Sequence, residues 1–303
     1  MTDLTDFQQK ITALLDGVEL RYSELMSKHT SFRIGGGAEV MAFPKNRDEL
    51  ARILKVSDLL DVNPAILGAG TNILAPDEGL RGLVICLKDC LAGMEHLDEN
   101  HIRIMAGVTM TRAAVFAAGL GLSGLEFAHG IPGTVGGGVY MNAGAYGGEI
   151  KDICESVEVM DMSGKLTTYS GEEMRFSYRH SMLEENPGIV VSAVFKLESK
   201  PEQEIRARMK ELQAKRSASQ PLDLPSAGSA FKRPAGAYAA ALIDEAGLKG
   251  YAVGGAAISE KHAGFAVNLG NATAADMRNL LKQVSDIVFE KSGFRLEPEV
   301  RIW

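Results

Sequence analysis

Apolar residues recur along the chain with two periods, and the switching between them lays out the elements. Leu4, Phe7, Ile11, Leu14 and Leu15 fall at three- and four-residue intervals, the spacing of one helix face over residues 4–16. A strand is expected at Glu39–Phe43, ended by Pro44. Asn46 then caps a helix to about Leu60, with Glu49 as the partner in a capping box. Pro64–Leu67 is a short apolar strand that runs into Gly68-Ala-Gly-Thr-Asn72. Strands follow at Leu83–Leu87, Ala92–Leu97 and His101–Ala106, and Thr109 opens a helix through Ala118. Ile153–Asp161 alternates in strand fashion and turns at Ser163-Gly164 into Lys165–Tyr169, the pattern of a hairpin. Ile189–Leu197 is a β-rich run, and Pro201 opens a charged helix to about Ala218. Helices are expected near Ala237–Ala246 and from Thr273 to about Lys291, and Glu299–Trp303 closes as a strand. Strands and helices mix without a strict βαβ rhythm, so the expected class is α+β and not a doubly wound sheet.

A chain of 303 residues has room for two domains. The turn to a Ser- and Pro-rich composition over Ser217–Ser229 puts the expected boundary near residue 200. At 46% hydrophobic the chain buries a real core, which excludes disorder. Cys86, Cys90 and Cys154 are odd in number and lack a CxxC spacing, and they read as buried reduced thiols. The net charge of −7 and the lack of a dense basic block disfavour nucleic-acid binding. No stretch approaches the roughly 18 apolar residues of a membrane span. The first sixteen residues carry acids early and are unlike a signal peptide. A cytoplasmic protein is expected.

Glycine is the skewed residue, 33 of 303, and eleven of them lie between Gly119 and Gly148. Backbone entropy makes such a cluster costly, so it suggests main chain packed where side chains would obstruct, as against a flat or phosphorylated ligand. Gly119-Leu-Gly-Leu-Ser-Gly124 spells GxGxxG but follows a helix instead of a strand, and reads as a helix stop. Gly68-Ala-Gly-Thr-Asn72 follows a strand; it is either a plain tight turn or a nest of N–H groups for an anion. In Gly130-Ile-Pro-Gly-Thr134, Pro132 fixes one torsion among glycines that free others, which suits a pyrophosphate. The segment continues through Gly137, Asn142, Ala143 and Gly144, and its apolar Ile131, Val135, Val139 and Met141 argue against a linker. Two phosphate-cradling loops without a Rossmann motif point to a flavin dinucleotide on another fold.

Three polar constellations remain. Phe176-Ser-Tyr-Arg-His-Ser181 sets Tyr178 and His180 beside Arg179, either a carboxylate or phosphate clamp or a surface strand with one salt bridge. Ser229 sits between small residues just before Lys232 and Arg233, an electropositive setting for a hydroxyl or else a capped loop. Glu297 and Glu299 flank Pro298, and a terminal strand returning to a cleft would deliver one of them. His29 and His262 sit in no metal-ligand spacing, so no metal is expected.

Taken in series, seven segments resemble the UDP-N-acetylenolpyruvoylglucosamine reductase (MurB) family. They are HTSFRIGG at 29–36, GAGTN at 68–72, GLEFAHGIPGTVGGGVYMNAGAYGGEI at 124–150, FSYRHS at 176–181, GSAFKRP at 228–234, GLKGYAVGGAAIS at 247–259 and LEPEVRI at 296–302. The resemblance implies a vanillyl-alcohol-oxidase-like, PCMH-type FAD-binding fold of two subdomains over residues 1–200, divided near 80, and a substrate-binding α+β domain over 201–303. It implies non-covalent FAD, NADPH as reductant, and reduction of UDP-N-acetyl-3-O-(1-carboxyvinyl)-glucosamine to UDP-N-acetylmuramate. By the same match Ser229 gives the proton, Arg179 clamps the carboxylate and Glu299 polarises or relays. Gly68, Ala69, Gly70, Thr71, Asn72, Gly130, Ile131, Pro132, Gly133, Thr134, Gly137, Asn142, Ala143 and Gly144 would hold FAD, and Tyr178 and Lys232 the substrate. With only eight residues between Tyr169 and Tyr178 the chain resembles the family's shorter type, which lacks an extra tyrosine loop. No obligate protein partner is implied. The rival reading is an oxidase of the same fold with flavin tethered at His129.

Overall fold

The computed structural model describes residues 4–88 and 90–303, and the chain forms two compact units, each assembled from separated segments. The first comprises residues 1–22, 40–69 and 82–215; the second comprises 23–39, 70–81 and 216–303. This division differs from the expected 1–200 and 201–303. The C-terminal boundary falls inside the helix Glu202–Ser219, and two N-terminal segments join the second unit.

The first unit carries an antiparallel five-stranded sheet. Its order is Leu166–Ser170, Cys154–Asp161, Gly188–Lys196, His101–Met105 and Met94–His96. The expected hairpin pairs Val157 with Tyr169, and the central strand pairs Ala193 with Ile104. The helix Met110–Gly119 is capped by Thr109, whose side chain accepts from Arg112 N–H, and it stops at the GxGxxG segment. Ile104, Ala113, Val135, Val139 and Phe195 are buried in one core with it. A second core gathers Ile11, Leu50, Ile53, Leu83 and Ile85 around the helices Asp6–Leu14 and Arg47–Leu59. Asn46 caps the latter, but Glu49 does not close a capping box: its carboxylate accepts from Lys45 N–H at 2.8 Å. Cys86 and Cys154 are buried, and burial foremost, with Glu155 nearby, pushes the Cys154 thiol up to about 12. Cys90 departs from expectation, since it is only half-buried and donates to Cys86 O at 3.4 Å.

The second unit is built on the sheet Ser226–Ser229, Phe265–Asn268, Ala256–Ile258 and Ala252–Val253. The helix Ala274–Ser292 packs Met277, Leu280, Leu281, Val284 and Val288 into a core with Phe32, Ile34, Leu74 and Ile243. Polar bonds explain why 23–39 and 70–81 belong here. Asp77 accepts from Ala274 N–H and Ala275 N–H at 2.7 and 3.1 Å, satisfying two orphan donors at a helix start and placing a negative charge at its positive end. Asn268 Nδ2 donates to Phe32 O at 2.8 Å. The final strand is only Arg301–Ile302, paired parallel to Ile73–Leu74. Among the described residues no helix is long and apolar enough to cross a membrane.

Candidate functional site

Each unit gathers one part of the expected constellation. In the first, the glycine-rich segment is not all loop: Val135–Tyr140 is a short helix, capped by Thr134, whose hydroxyl accepts from Gly137 N–H. Thr134 is buried, and its hydroxyl lies 2.9 Å from where a Cβ on Gly68 would stand. That close approach joins the end of the strand Ala65–Leu67 to the 130–134 turn. Gly133 O accepts from Met110 N–H, and Val135 N–H donates to Val108 O, which pins the turn to the helix start at Met110.

The expectation that the glycines clear space for a ligand needs correction residue by residue. A Cβ on Gly136 would stand 2.9 Å from Ala106 Cβ, one on Gly138 2.7 Å from Met110 Sδ, and one on Gly148 2.7 Å from the Phe127 ring. Those three glycines let the protein pack against itself. Gly137 differs, because its Cβ would meet nothing nearer than Thr134 Oγ1 at 3.6 Å. The cradle is also narrower than the sequence suggests. Gly130 and Ile131 N–H both donate to Ala128 O, whereas Gly133 and Thr134 N–H have no acceptor among the described residues.

The Arg179 turn is fastened to the far end of this helix. Ser177 and His180 exchange N–H to carbonyl bonds of 3.1 and 3.2 Å, leaving Tyr178 and Arg179 at the tip. Arg179 has φ +57°, a left-handed conformation uncommon for a residue with a side chain. Its guanidinium lies 5.0 Å from the Tyr178 ring centroid and donates to Gly144 O at 3.4 Å. Ser181 Oγ donates to Tyr140 O at 2.8 Å. Asn142 was not legible as the hub. Fully buried, it donates Nδ2 to Ser177 O and to Glu149 Oε2, each at 2.9 Å, while Oδ1 accepts from Lys151 N–H. Its amide is therefore committed to holding the turn. A lone Asn in a Gly-rich run gives no sign of this. Between Ser170 and Ser177 there is one tight turn with Met174 buried.

In the second unit Ser229 ends a bulged strand. Ser226 pairs with Val267 and Ser229 with Phe265, and between them Gly228 takes φ +76°. A bulge of this kind re-aims the following side chain. Ser229 is exposed, while Ala230 and Phe231 are buried. The backbone behind it is held by Ala230 N–H to Gly264 O and by Gly264 N–H to His262 Nδ1 at 3.0 Å. The His262 ring stands edge-on to Phe265 with centroids 5.0 Å apart, and burial lowers its pKa, so it serves as a neutral acceptor.

The C-terminal acids run antiparallel beside this strand. Lys232 N–H donates to Glu297 O, Glu299 N–H donates to Ala230 O, and Phe231 bridges Pro298. The two acids then part company. Glu297 is exposed and pairs with Lys232 Nζ at 2.5 Å, whereas Glu299 is half-buried with its carbonyl accepting Asn72 Nδ2 at 3.0 Å. Arg233 lies over the Tyr238 ring at 3.9 Å. Gly70 is forced by close approach, since a Cβ there would stand 2.0 Å from His29 O. Gly70, Thr71 and Asn72 belong to the second unit and Gly68 and Ala69 to the first. Among the described residues no cluster of three or more His, Cys, Asp or Glu could hold a metal.

Two segments match families of known proteins: residues 38–170 match the FAD binding domain, and 220–303 the C-terminal domain of UDP-N-acetylenolpyruvoylglucosamine reductase. Over 293 residues the chain is 46% identical to UDP-N-acetylenolpyruvoylglucosamine reductase of Caldanaerobacter subterraneus subsp. tengcongensis, covering 97% of this chain and 96% of that one. The chain belongs to the UDP-N-acetylenolpyruvoylglucosamine reductase family. A crystal structure of the family's enzyme (MurB) from Thermus caldophilus superposes with a TM-score of 0.78 at 38% identity, over 94% of this chain and 98% of that one. An alkyldihydroxyacetonephosphate synthase, 17% identical, superposes with a TM-score of 0.50 over 65% of this chain and 41% of its own, a likeness of fold alone. The expected α+β, PCMH-type FAD-binding fold is thereby met. A reductase of this family needs room for FAD. The open face at Gly137, the positive φ of +140° at Gly133 and the two N–H groups beside them fit a diphosphate.

Proposed function

We propose that this chain reduces the enolpyruvyl ether of UDP-N-acetyl-3-O-(1-carboxyvinyl)-glucosamine to UDP-N-acetylmuramate, a step of peptidoglycan precursor synthesis, using non-covalent FAD and NADPH. The observation that carries the reading is the hydrogen-bonded pairing of the GSAFKRP and LEPEVRI segments, which brings Ser229 and Glu299 onto adjacent backbones although they lie far apart in sequence. Family membership supplies the reaction. FAD, when bound, supplies the two-electron relay between NADPH and the substrate. The loops at Gly68–Thr71 and Gly130–Thr134 would hold its diphosphate, with Gly137 leaving the approach clear and Ala143 and Gly144 lining the cradle.

Reduction adds a hydride to the terminal enolpyruvyl carbon, and electron density moves onto the adjacent carbon and its carboxylate. Arg179 clamps that carboxylate and stabilises the developing charge, a task its planar fork suits. Ser229 hands its hydroxyl proton to the adjacent carbon, completing the saturated lactyl ether. Its oxygen is left short of a proton, and Glu299, whose backbone N–H donates to Ala230 O, relays one. Tyr178 and Lys232 contact the sugar nucleotide; for Lys232 this requires exchanging its Glu297 partner for the ligand. The protein acts in the cytoplasm, without nucleic acid, membrane or an obligate protein partner. Ser229→Ala tests the central step by stopped-flow absorbance. NADPH should still bleach the flavin, while recolouring by the enolpyruvyl substrate should slow by orders of magnitude; undiminished recolouring refutes the proton-donor role.

A further inference from the structure

We propose that Asn72 is a positioning residue for Glu299, acting through the Glu299 backbone and not through the cofactor. The inference rests on the reading above, in which Glu299 takes part in the reduction. In the GAGTN loop Asn72 reads from sequence as one more donor to a phosphate. The structure gives its side chain another task. Asn72 Nδ2 donates to Glu299 O at 3.0 Å, and Asn72 O accepts Arg301 N–H, also at 3.0 Å. The two bonds straddle Val300, whose side chain is buried in the core.

Glu299 N–H is meanwhile taken by Ala230 O at 2.9 Å, next to Ser229. Residue 299 is thus clamped on both sides, by the Ser229 strand through its N–H and by Asn72 through its carbonyl. The parallel pair that follows, Ile73–Leu74 with Arg301–Ile302, is two residues long and is a poor clamp by itself. The Asn72 amide adds one rung to that ladder at the point where the acid emerges. The loop is also anchored independently of Glu299, because Ser31 N–H donates to Gly70 O at 3.0 Å and Gly70 is pressed against His29 O. A loop anchored in this way can therefore position the acid. Asparagine suits the contact because it supplies a donor to a carbonyl: Asp would set a carboxylate oxygen against that oxygen, and Ala would remove the donor.

The test compares two half-reactions, bleaching by NADPH and recolouring by the enolpyruvyl substrate, in wild type, Asn72→Ala, Glu299→Gln and the double variant, with bound flavin measured from absorbance. Asn72→Ala should slow recolouring at least tenfold more than bleaching. In the Glu299→Gln background it should change recolouring less than twofold, since a residue acting through Glu299 has nothing left to act on. The Asn72→Ala pH profile of recolouring should move toward that of Glu299→Gln, and amide exchange over residues 297–303 should quicken. Equal losses in both half-reactions with flavin release, or a full penalty persisting in Glu299→Gln, would overturn the role. Asn72→Asp, equal in size and lacking the donor, replaces Asn72→Ala if that variant does not fold. Failure of both to fold also overturns the proposal, because a purely structural role then suffices. A wild type that NADPH does not bleach overturns the reductase reading itself, whereas additive losses in an active enzyme overturn only this role.

Discussion

Arg179 in the first unit and Ser229 in the second are both presented by a left-handed residue, yet they are presented differently. Arg179 occupies the left-handed position itself, at φ +57°. Ser229 delegates it to the residue before, Gly228 at φ +76°. A left-handed residue with a Cβ costs about 1–2 kcal/mol, which glycine avoids. The first unit offsets that cost with bonds from Asn142, Ser181 and the Ser177–His180 pair. The second avoids that cost at its bulge, because Gly228 has no Cβ. The lesson is where each half is brittle: the arginine turn depends on its surroundings, and the serine strand depends on one glycine.

Substitutions sharpen this contrast. Arg179→Gly should fold as well as the parent, with stability by denaturant melt changed by no more than about 1 kcal/mol, because glycine suits the position. Its kcat/KM for the enolpyruvyl substrate should nonetheless fall by roughly a hundredfold or more, the scale of losing one charge-stabilising group. Equal activity would show that the strained arginine serves the turn and not the chemistry. Gly228→Ala reverses the pattern. Among the described residues beyond its chain neighbours, no heavy atom lies within 4 Å of its added Cβ, so the cost is conformational alone, about 1–2 kcal/mol in the same melt. A neutral Gly228→Ala would mean that the bulge can relax and that Ser229 is not held by it. Glu297→Gln should do least. Its ion pair with Lys232 is solvent-exposed, at 38% and 70% side-chain exposure, so stability should shift by less than about 1 kcal/mol. Substrate KM serves as the second measurement, and a large fall in kcat would reverse the assignment of Glu299 over Glu297.

The sequence made the local devices readable. The caps at Asn46 and Thr109 act within three residues and appear where patterning puts them, and the helix expected from Thr273 starts at Ala274 with Thr273 as its cap. The hairpin at Ser163-Gly164 is equally local. What it hid depends on distant partners. The helix Val135–Tyr140 holds three glycines that lower its intrinsic propensity, and it exists because Thr134 caps it and Ala106 and Met110 pack closely against it. Glu49 chose Lys45 N–H over Asn46 N–H, a difference of one residue that patterning does not resolve. The placement of 23–39 and 70–81 rests on Asp77 and Asn268, neither of which advertises a partner some two hundred residues away. In the candidate site, residue types were legible, while the separate fates of Glu297 and Glu299 were not, because alternation puts both on one strand face.

The bond from Asn72 to Glu299 spans 227 residues of chain. On a ribosome adding about 5–20 residues per second, the loop therefore emerges tens of seconds before the residue it is to hold. During that interval the nascent protein can mature its five-stranded sheet, while the segment around residue 299 is still to come. Whatever depends on that bond is accordingly a late event in the life of each molecule, reached only after residue 299 has been added.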